Sequence, residues 1–290
     1  MTGDWWSALF NFSDYGELIW LLHNSILAGL VLGIVGGLIG VFVMSRDLAF
    51  AVHGVSELSF AGAAAGLLTG VGVVTGSIAG SLVAAVLIGL LGARARDRNS
   101  ITAVLMPAGL GLGILFLALY PGRASSKFGL LTGQIVAVDD PRLGVLAIVG
   151  AVVVLGLLVL WRPLTFASVD AEVAAARGIP TRVLSIAFMV LLGLSVAIGV
   201  QVVGALLVLS VLVTPAAAAL RVSSSPVVVT ALSVTFATVS LVGGILLALG
   251  SSVPISPYVT TISFLIYVVC RLVGRARLRG KHSGGRTVLA

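Results

Sequence analysis

The sequence predicts an all-α, polytopic transmembrane helical bundle of eight or nine spans. Of its 290 residues, 59% are hydrophobic and 9% charged, and the mean hydropathy is +1.21. A soluble domain carries about 25% charged residues to cover its surface, so the shortfall is too large to be a big core. Glycine is abundant, with 36 residues, while aromatics make up 7%. Small residues let backbones approach closely where no hydrophobic effect drives helices together. A Gly/Ala-rich soluble bundle is excluded because the apolar stretches lack a polar face.

A span needs about 20 mostly apolar residues. The stretches that qualify are 18–43, 54–72, 75–92, 101–120, 143–161, 182–197, 200–220, 226–249 and 256–273. The first is long enough to be tilted, or broken at Gly36, Gly37 and Gly40. The two stretches around Gly199 and Gln201 could instead be one broken helix plus a re-entrant piece, which would leave eight spans.

The basic residues sit in the gaps between spans, so the net charge of +7 reflects topology and not nucleic-acid binding. With nine spans and the N-terminus outside, inner segments hold Arg46, Arg94, Arg96, Arg98, Arg162, Arg177, Arg182 and Arg221. The tail adds Arg271, Arg275, Arg277, Arg279, Lys281 and Arg286; Arg123, Lys127 and Arg142 remain outside. This bias places the C-terminus in the cytoplasm. The implied organisation is an extracytoplasmic segment 1–17, a transmembrane domain 18–273 with a cytoplasmic segment 162–182, and a basic tail 274–290 near anionic lipid. The acidic start (Asp4, Asp14, Glu17) is unlike a cleavable signal. Residues 130–138 in the long outer loop suit a short interfacial helix.

Between 162 and 182 the apolar pattern breaks. Ser168 is the expected N-cap of a short helix with Asp170 and Glu172 in its first turn, where acids meet the positive end of the dipole. Ala171, Ala174, Ala175 and Ala176 favour helix, and Gly178 before Ile179 and Pro180 stops it. Such a helix is either an ordinary amphipathic loop element or one presented to a cytoplasmic partner.

His53 and Glu57, after Arg46 and Asp47, are four apart and share a helix face. Glu57 falls at or just inside the expected membrane boundary, where an ionisable group is expensive and usually faces a cavity or partner. Carboxylate and imidazole both suit a borderline divalent cation; they also suit an interfacial hydrogen-bonded pair. Pro215 lies inside a span after Thr214 and frees a carbonyl toward the bundle interior. His23 and Asn24 suit hydrogen bonds across the bundle, and the single Cys270 suits inert packing. No stretch reads GxxxxGK[ST], so the chain does not bind ATP by the P-loop route.

Four landmarks in order, spanning about 19–273, resemble the membrane permease subunit of bacterial ABC importers for zinc, manganese and iron, the ABC-3 permeases. They are "GVFVMSRDLAFAVHGVSELSFAGAAAG", "LLTGQIVAV", "VDAEVAAARGIPTR" and "VVGALLVLSVLVTPAAAALR". The resemblance implies an importer permease of the type that also serves metals, siderophores and cobalamin. It implies a homodimeric path, two cytoplasmic P-loop ATPase subunits that bind the ATP, and an extracytoplasmic metal-binding protein, often a lipoprotein. The chain itself would be no enzyme and hold no permanent cofactor; its cargo would be zinc, manganese or iron. Asp170, Glu172, Ala175 and Gly178 match the segment that couples to the ATPase, while Arg46, Ser56 and Pro215 match signature positions. The expected path residues are His53, Ser56, Glu57 and Pro215, with His53 and Glu57 as metal ligands. The sequence departs from the family twice. Ser56-Glu57 replaces a Ser-His pair, with His53 at the nearby acidic position, and Ser256 stands where Gly is usual. Two other functions fit the composition: a permease for a siderophore or cobalamin chelate, and an ATP-independent secondary carrier or channel. The carrier gives no reason for the helix near 169–178, and a structural scaffold accounts for neither that helix nor Glu57.

Overall fold

The computed structural model describes residues 15–92, 95–122, 138–249 and 254–284. All its elements are helices, and eight of them are long and apolar enough to cross a membrane. A short helix α1 (Tyr15–Leu21) leads into α2 (His23–Ser45). Then come α3 (Ala49–Thr69), α4 (Val73–Leu91), α5 (Ala95–Leu119), α6 (Asp140–Val169), a six-residue α7 (Ala171–Ala176) and α8 (Thr181–Val203). The chain ends with α9 (Val208–Val222), α10 (Pro226–Leu249) and α11 (Ile255–Gly284). Residues 130–137 of the expected interfacial helix lie outside the described residues.

The doubtful region around Gly199 and Gln201 resolves into one full helix, α8, and one short one, α9. The break falls at Gly204, whose φ of +87° suits glycine. Val208 packs near Gly199 and Leu212 against Gly40, so α9 starts inside the bundle and runs parallel to the second half of α2. It ends at Val222, whose carbonyl accepts from Arg277 Nη1 at 3.2 Å. At 15 residues it covers about 22 Å, less than a bilayer core, yet it still reverses the direction of the chain. Consequently α2 starts at the end of the bundle opposite to the one where α11 finishes.

Burial divides the helices into two kinds. In α2, α3 and α8, two-thirds of the spanning window is buried; these form the centre. Helix α6 buries a single stripe, Leu146, Gly150, Val153, Leu157 and Leu164, at helical spacing. Its other faces show Ile148, Leu155, Leu158 and Val159, apolar side chains that suit lipid.

Helix α2 is continuous and not broken at its glycines. They serve contact instead: Gly37 lies against the backbone of Val234 in α10, where any side chain would overlap main-chain atoms. Likewise Gly62 of α3 and Gly76 of α4 each face the other's carbonyl oxygen. Inside these seams Ser233 Oγ donates to the Gly37 carbonyl at 2.8 Å. Ser59 Oγ lies 2.8 Å from Ser77 Oγ, which in turn donates to the Ala197 carbonyl at 3.3 Å, tying α3, α4 and α8.

Overpacking a core costs about 1–3 kcal/mol, and more when the obstacle is backbone. Gly62→Val is expected to lower the thermal unfolding temperature in detergent sharply or to abolish the monodisperse protein. Gly111→Ala, a position open to 4 Å on all sides, leaves both unchanged.

Candidate metal pathway and coupling helix

Helix α2 ends at Ser45, and Arg46, Asp47 and Leu48 turn the chain into α3. Asp47 takes φ +53°, a left-handed conformation that Asp tolerates better than most residues. Because α3 already begins at Ala49, His53 belongs to the helix. Glu57 then lies eight residues from the helix start, about 12 Å along its axis. That is deeper than the boundary position the sequence suggested.

His53 Nε2 and Glu57 Oε1 are 3.8 Å apart. Glu57 is 3% exposed, while the His53 side chain is about one-third exposed. Among the described residues, the buried Glu57 Oε2 and His53 Nδ1 have no hydrogen-bond partner. Gly109 of α5 closes one side: a methyl group there would stand 2.9 Å from the Glu57 carbonyl carbon. The pair thus offers one oxygen and one nitrogen donor with spare capacity, the carboxylate buried and the imidazole partly open. No cluster of three or more His, Cys, Asp or Glu able to hold a metal occurs among the described residues. This suits a transient stop for a cation better than a tight cage. Ser56 is buried beside the pair, but its hydroxyl donates to the His53 carbonyl at 2.8 Å and is turned to its own helix.

Pro215 is buried in α9, and the helix continues through it. Lacking an N–H, it leaves the Val211 carbonyl without its intrahelical donor. A methyl group on Gly36 of α2 would lie 3.6 Å from that oxygen. Pro215 therefore faces the α2–α9 packing, while Glu57 sits on the α3–α5 seam.

The segment predicted to interrupt the spans does so at α7. Asp170, not Ser168, is its N-cap: Asp170 Oδ1 accepts from the backbone N–H of Glu172 at 3.0 Å and of Val173 at 2.9 Å. Helix α6 continues through Pro163 to Val169, so Ser168 remains helical and its hydroxyl donates to the Leu164 carbonyl at 2.7 Å. Extended backbone at Asp170 (φ −150°) then separates the two helices. Gly178, at φ +83°, follows the end of α7. Ala174 anchors α7 in the bundle, and Asp170, Glu172, Ala175 and Gly178 all face out. Val169 (83% exposed) and Val173 (44%) add apolar surface beside them.

At the start of the bundle's other end, Asn24 Nδ2 donates to Asp140 Oδ1 at 2.7 Å, the cross-bundle bond expected of it, whereas His23 Nδ1 lies 3.0 Å from the Trp20 carbonyl. The sequence did not single out the Ser59–Ser77 pair, although serines in otherwise apolar spans were the available signal. Nor did it foresee the contacts of Arg46. Arg98 Nη2 donates to the Arg46 carbonyl at 3.2 Å, and the Arg46 guanidinium lies 5.4 Å over the Phe188 ring. Phe42 fills the space beneath, edge-on to Trp161 at 5.0 Å and Phe188 at 6.1 Å. Burial, and then the charge of Arg98, holds Arg46 below its ordinary pKa.

Residues 19–274 match the ABC 3 transport family. The manganese transport system membrane protein MntC of Halalkalibacterium halodurans is 28% identical over 225 residues, 77% of each chain. The high-affinity zinc uptake system membrane protein ZnuB of Haemophilus influenzae is 26% identical over 260 residues, 89% of this chain and 99% of that one. Among solved structures, PsaBC from Streptococcus pneumoniae in complex with Fab superposes with a TM-score of 0.80 at 25% identity, covering 89% of this chain and 95% of that one. With a family match across nearly all of its spans, this multi-pass membrane chain belongs to the ABC 3 transport family.

Proposed function

We propose that the chain is the membrane permease of an ATP-driven importer for a divalent transition metal, manganese or zinc ahead of iron, with two copies forming the path. The observation that carries this reading is the Glu57 carboxylate, buried in a spanning helix with one oxygen unpartnered and His53 one turn away. A charged group at such depth is costly unless it is neutralised, and a passing dication neutralises it. The names of the manganese and zinc relatives support the choice of metal.

The orientation follows from charge. The bundle end that carries Arg46, Arg98, Arg177 and Arg221 faces the cytoplasm by the positive-inside rule. On that side α7 presents Asp170, Glu172, Ala175 and Gly178 to two P-loop ATPase subunits. On the other, an extracytoplasmic metal-binding lipoprotein delivers the ion. ATP-driven closure of the ATPases pushes on α7 and reorients the bundle, and the ion passes inward by way of His53 and Glu57. Hydrolysis belongs to the partner. Ser56 supports the turn of α3 between the two ligands, and Pro215 leaves α9 adaptable where it lies on α2.

Proteoliposomes containing the chain, its ATPase and its binding protein are expected to take up one of manganese, zinc or ferrous iron when ATP is supplied. Glu57→Ala is expected to cut that uptake at least tenfold while complex assembly persists. Uptake of none of the three by a complex that hydrolyses ATP contradicts the metal assignment. Wild-type uptake by the variant removes Glu57 from the path.

A lost N-cap costs about 1 kcal/mol, a large share of what holds a six-residue helix. Asp170→Ala is expected to reduce both co-purification of the ATPase and ATP-stimulated transport, and Asp170→Asn, which still caps, to restore most of each. Unchanged ATPase binding in Asp170→Ala contradicts the coupling role of α7.

A further inference from the structure

Two arginines at the end of the bundle that carries α7 form no salt bridge among the described residues. Arg46 forms the turn between α2 and α3, and Arg98 lies near the start of α5; both side chains are half-buried. Arg98 Nη2 is used on the Arg46 carbonyl at 3.2 Å. Among the described residues, buried Arg98 Nε and Arg46 Nη1 have no hydrogen-bond acceptor. The Arg46 guanidinium rests on one face of Phe188, a contact that fixes its plane without satisfying its donors. The ion pairs among the described residues are His53–Glu57 and Arg142–Asp139; Asp47, next in sequence to Arg46, attracts Arg98 without forming a salt bridge to either arginine. Two cations this close repel each other, and leaving a buried donor on each unsatisfied is costly.

An anion that accepts from both would complete the arrangement, and its location says which kind. Arg46 follows directly on the last residue of one span and Arg98 is the second residue of another, so both stand where a bilayer's headgroups stand. Guanidinium forks bind phosphate oxygens well, in up to two parallel hydrogen bonds. We propose that Arg46 and Arg98 together form a binding site for the phosphate of an anionic lipid headgroup, such as phosphatidylglycerol or cardiolipin. The bound phosphate bridges the α2–α3 turn to the start of α5. It thereby braces both helices of the seam that encloses Glu57. The site is independent of which ion the chain carries.

The test is native mass spectrometry and thermal unfolding of the full-length chain, supplied with phosphatidylglycerol, with phosphatidylcholine, or with inorganic phosphate. Wild type is expected to retain phosphatidylglycerol over phosphatidylcholine, and to unfold several degrees higher with it, while inorganic phosphate gives no comparable shift. Arg98→Gln and Arg46→Gln are each expected to lose at least half of that shift. Arg271→Gln, which removes one exposed cation from α11 at the same end, keeps it. Equal retention of the two lipids by wild type overturns the proposal and needs no variant to show it. So does a full phosphatidylglycerol shift in the double variant. An equal shift with inorganic phosphate makes the site one for free phosphate, and a shift that requires the ATPase and no lipid assigns the arginines to a partner's carboxylate.

Discussion

In lipid no hydrophobic push holds helices together, because the acyl chains are as apolar as the side chains they touch. What remains is close packing, and this bundle obtains it by bringing backbones into contact. Gly62 and Gly76 face each other's carbonyl groups between α3 and α4, and Gly37 meets the backbone of Val234 between α2 and α10. Everything else in the structure is placed by these seams. With α3 held against α4 on one side, Gly109 lets α5 approach from another, and Glu57 is closed off between them. A larger residue at any of these positions would part the helices it joins, and at Gly109 it would press on the Glu57 backbone.

Magnitudes separate the structural polar groups from the one proposed to function. Hydrogen bonds between membrane helices average about 0.6 kcal/mol, and the serine pair Ser59–Ser77 belongs to that class: neutral, mutually satisfied, and cheap to bury. An acidic side chain at a span's centre costs about 2.5–3.5 kcal/mol on insertion scales. Glu57 has only His53 nearby, at 3.8 Å, and one oxygen with nothing. Packing gains nothing from a carboxylate that a leucine or glutamine would not supply more cheaply. A passing dication, as proposed, would account for its presence. The lack of a third protein ligand among the described residues would keep such a stop shallow enough to leave.

How far the sequence could be read follows the same physics. The spans were legible because apolar length is a strong signal, and the bounds 226–249 of α10 coincide with those of the apolar run. Helix α9 was not separable from a full span: residues 200–220 are mostly apolar, and only the backbone at Gly204 shows that the first part belongs to α8. The helix at 171–176 was visible in its alanines and in Gly178. Its cap was misassigned because a serine and an aspartate two residues apart both suit the role, and only the continuation of α6 through Val169 decides for Asp170. His53 and Glu57 could be put on one face by their spacing alone. Their depth could not, since that depends on α3 starting at Ala49 directly after a three-residue turn. The contacts of Arg46 with Arg98 and Phe188 join residues 52 and 142 positions apart, and no local pattern encodes them.

The central claim is that a metal ion halts between His53 and Glu57 on its way through the bundle. Anomalous scattering from crystals of the permease–ATPase complex soaked in manganese tests it most directly. The account predicts a peak within about 2.0–2.4 Å of a Glu57 carboxylate oxygen and a His53 ring nitrogen, since those are the distances at which carboxylate and imidazole hold such ions. Strong metal density elsewhere in the bundle, with none between these two side chains, would contradict it.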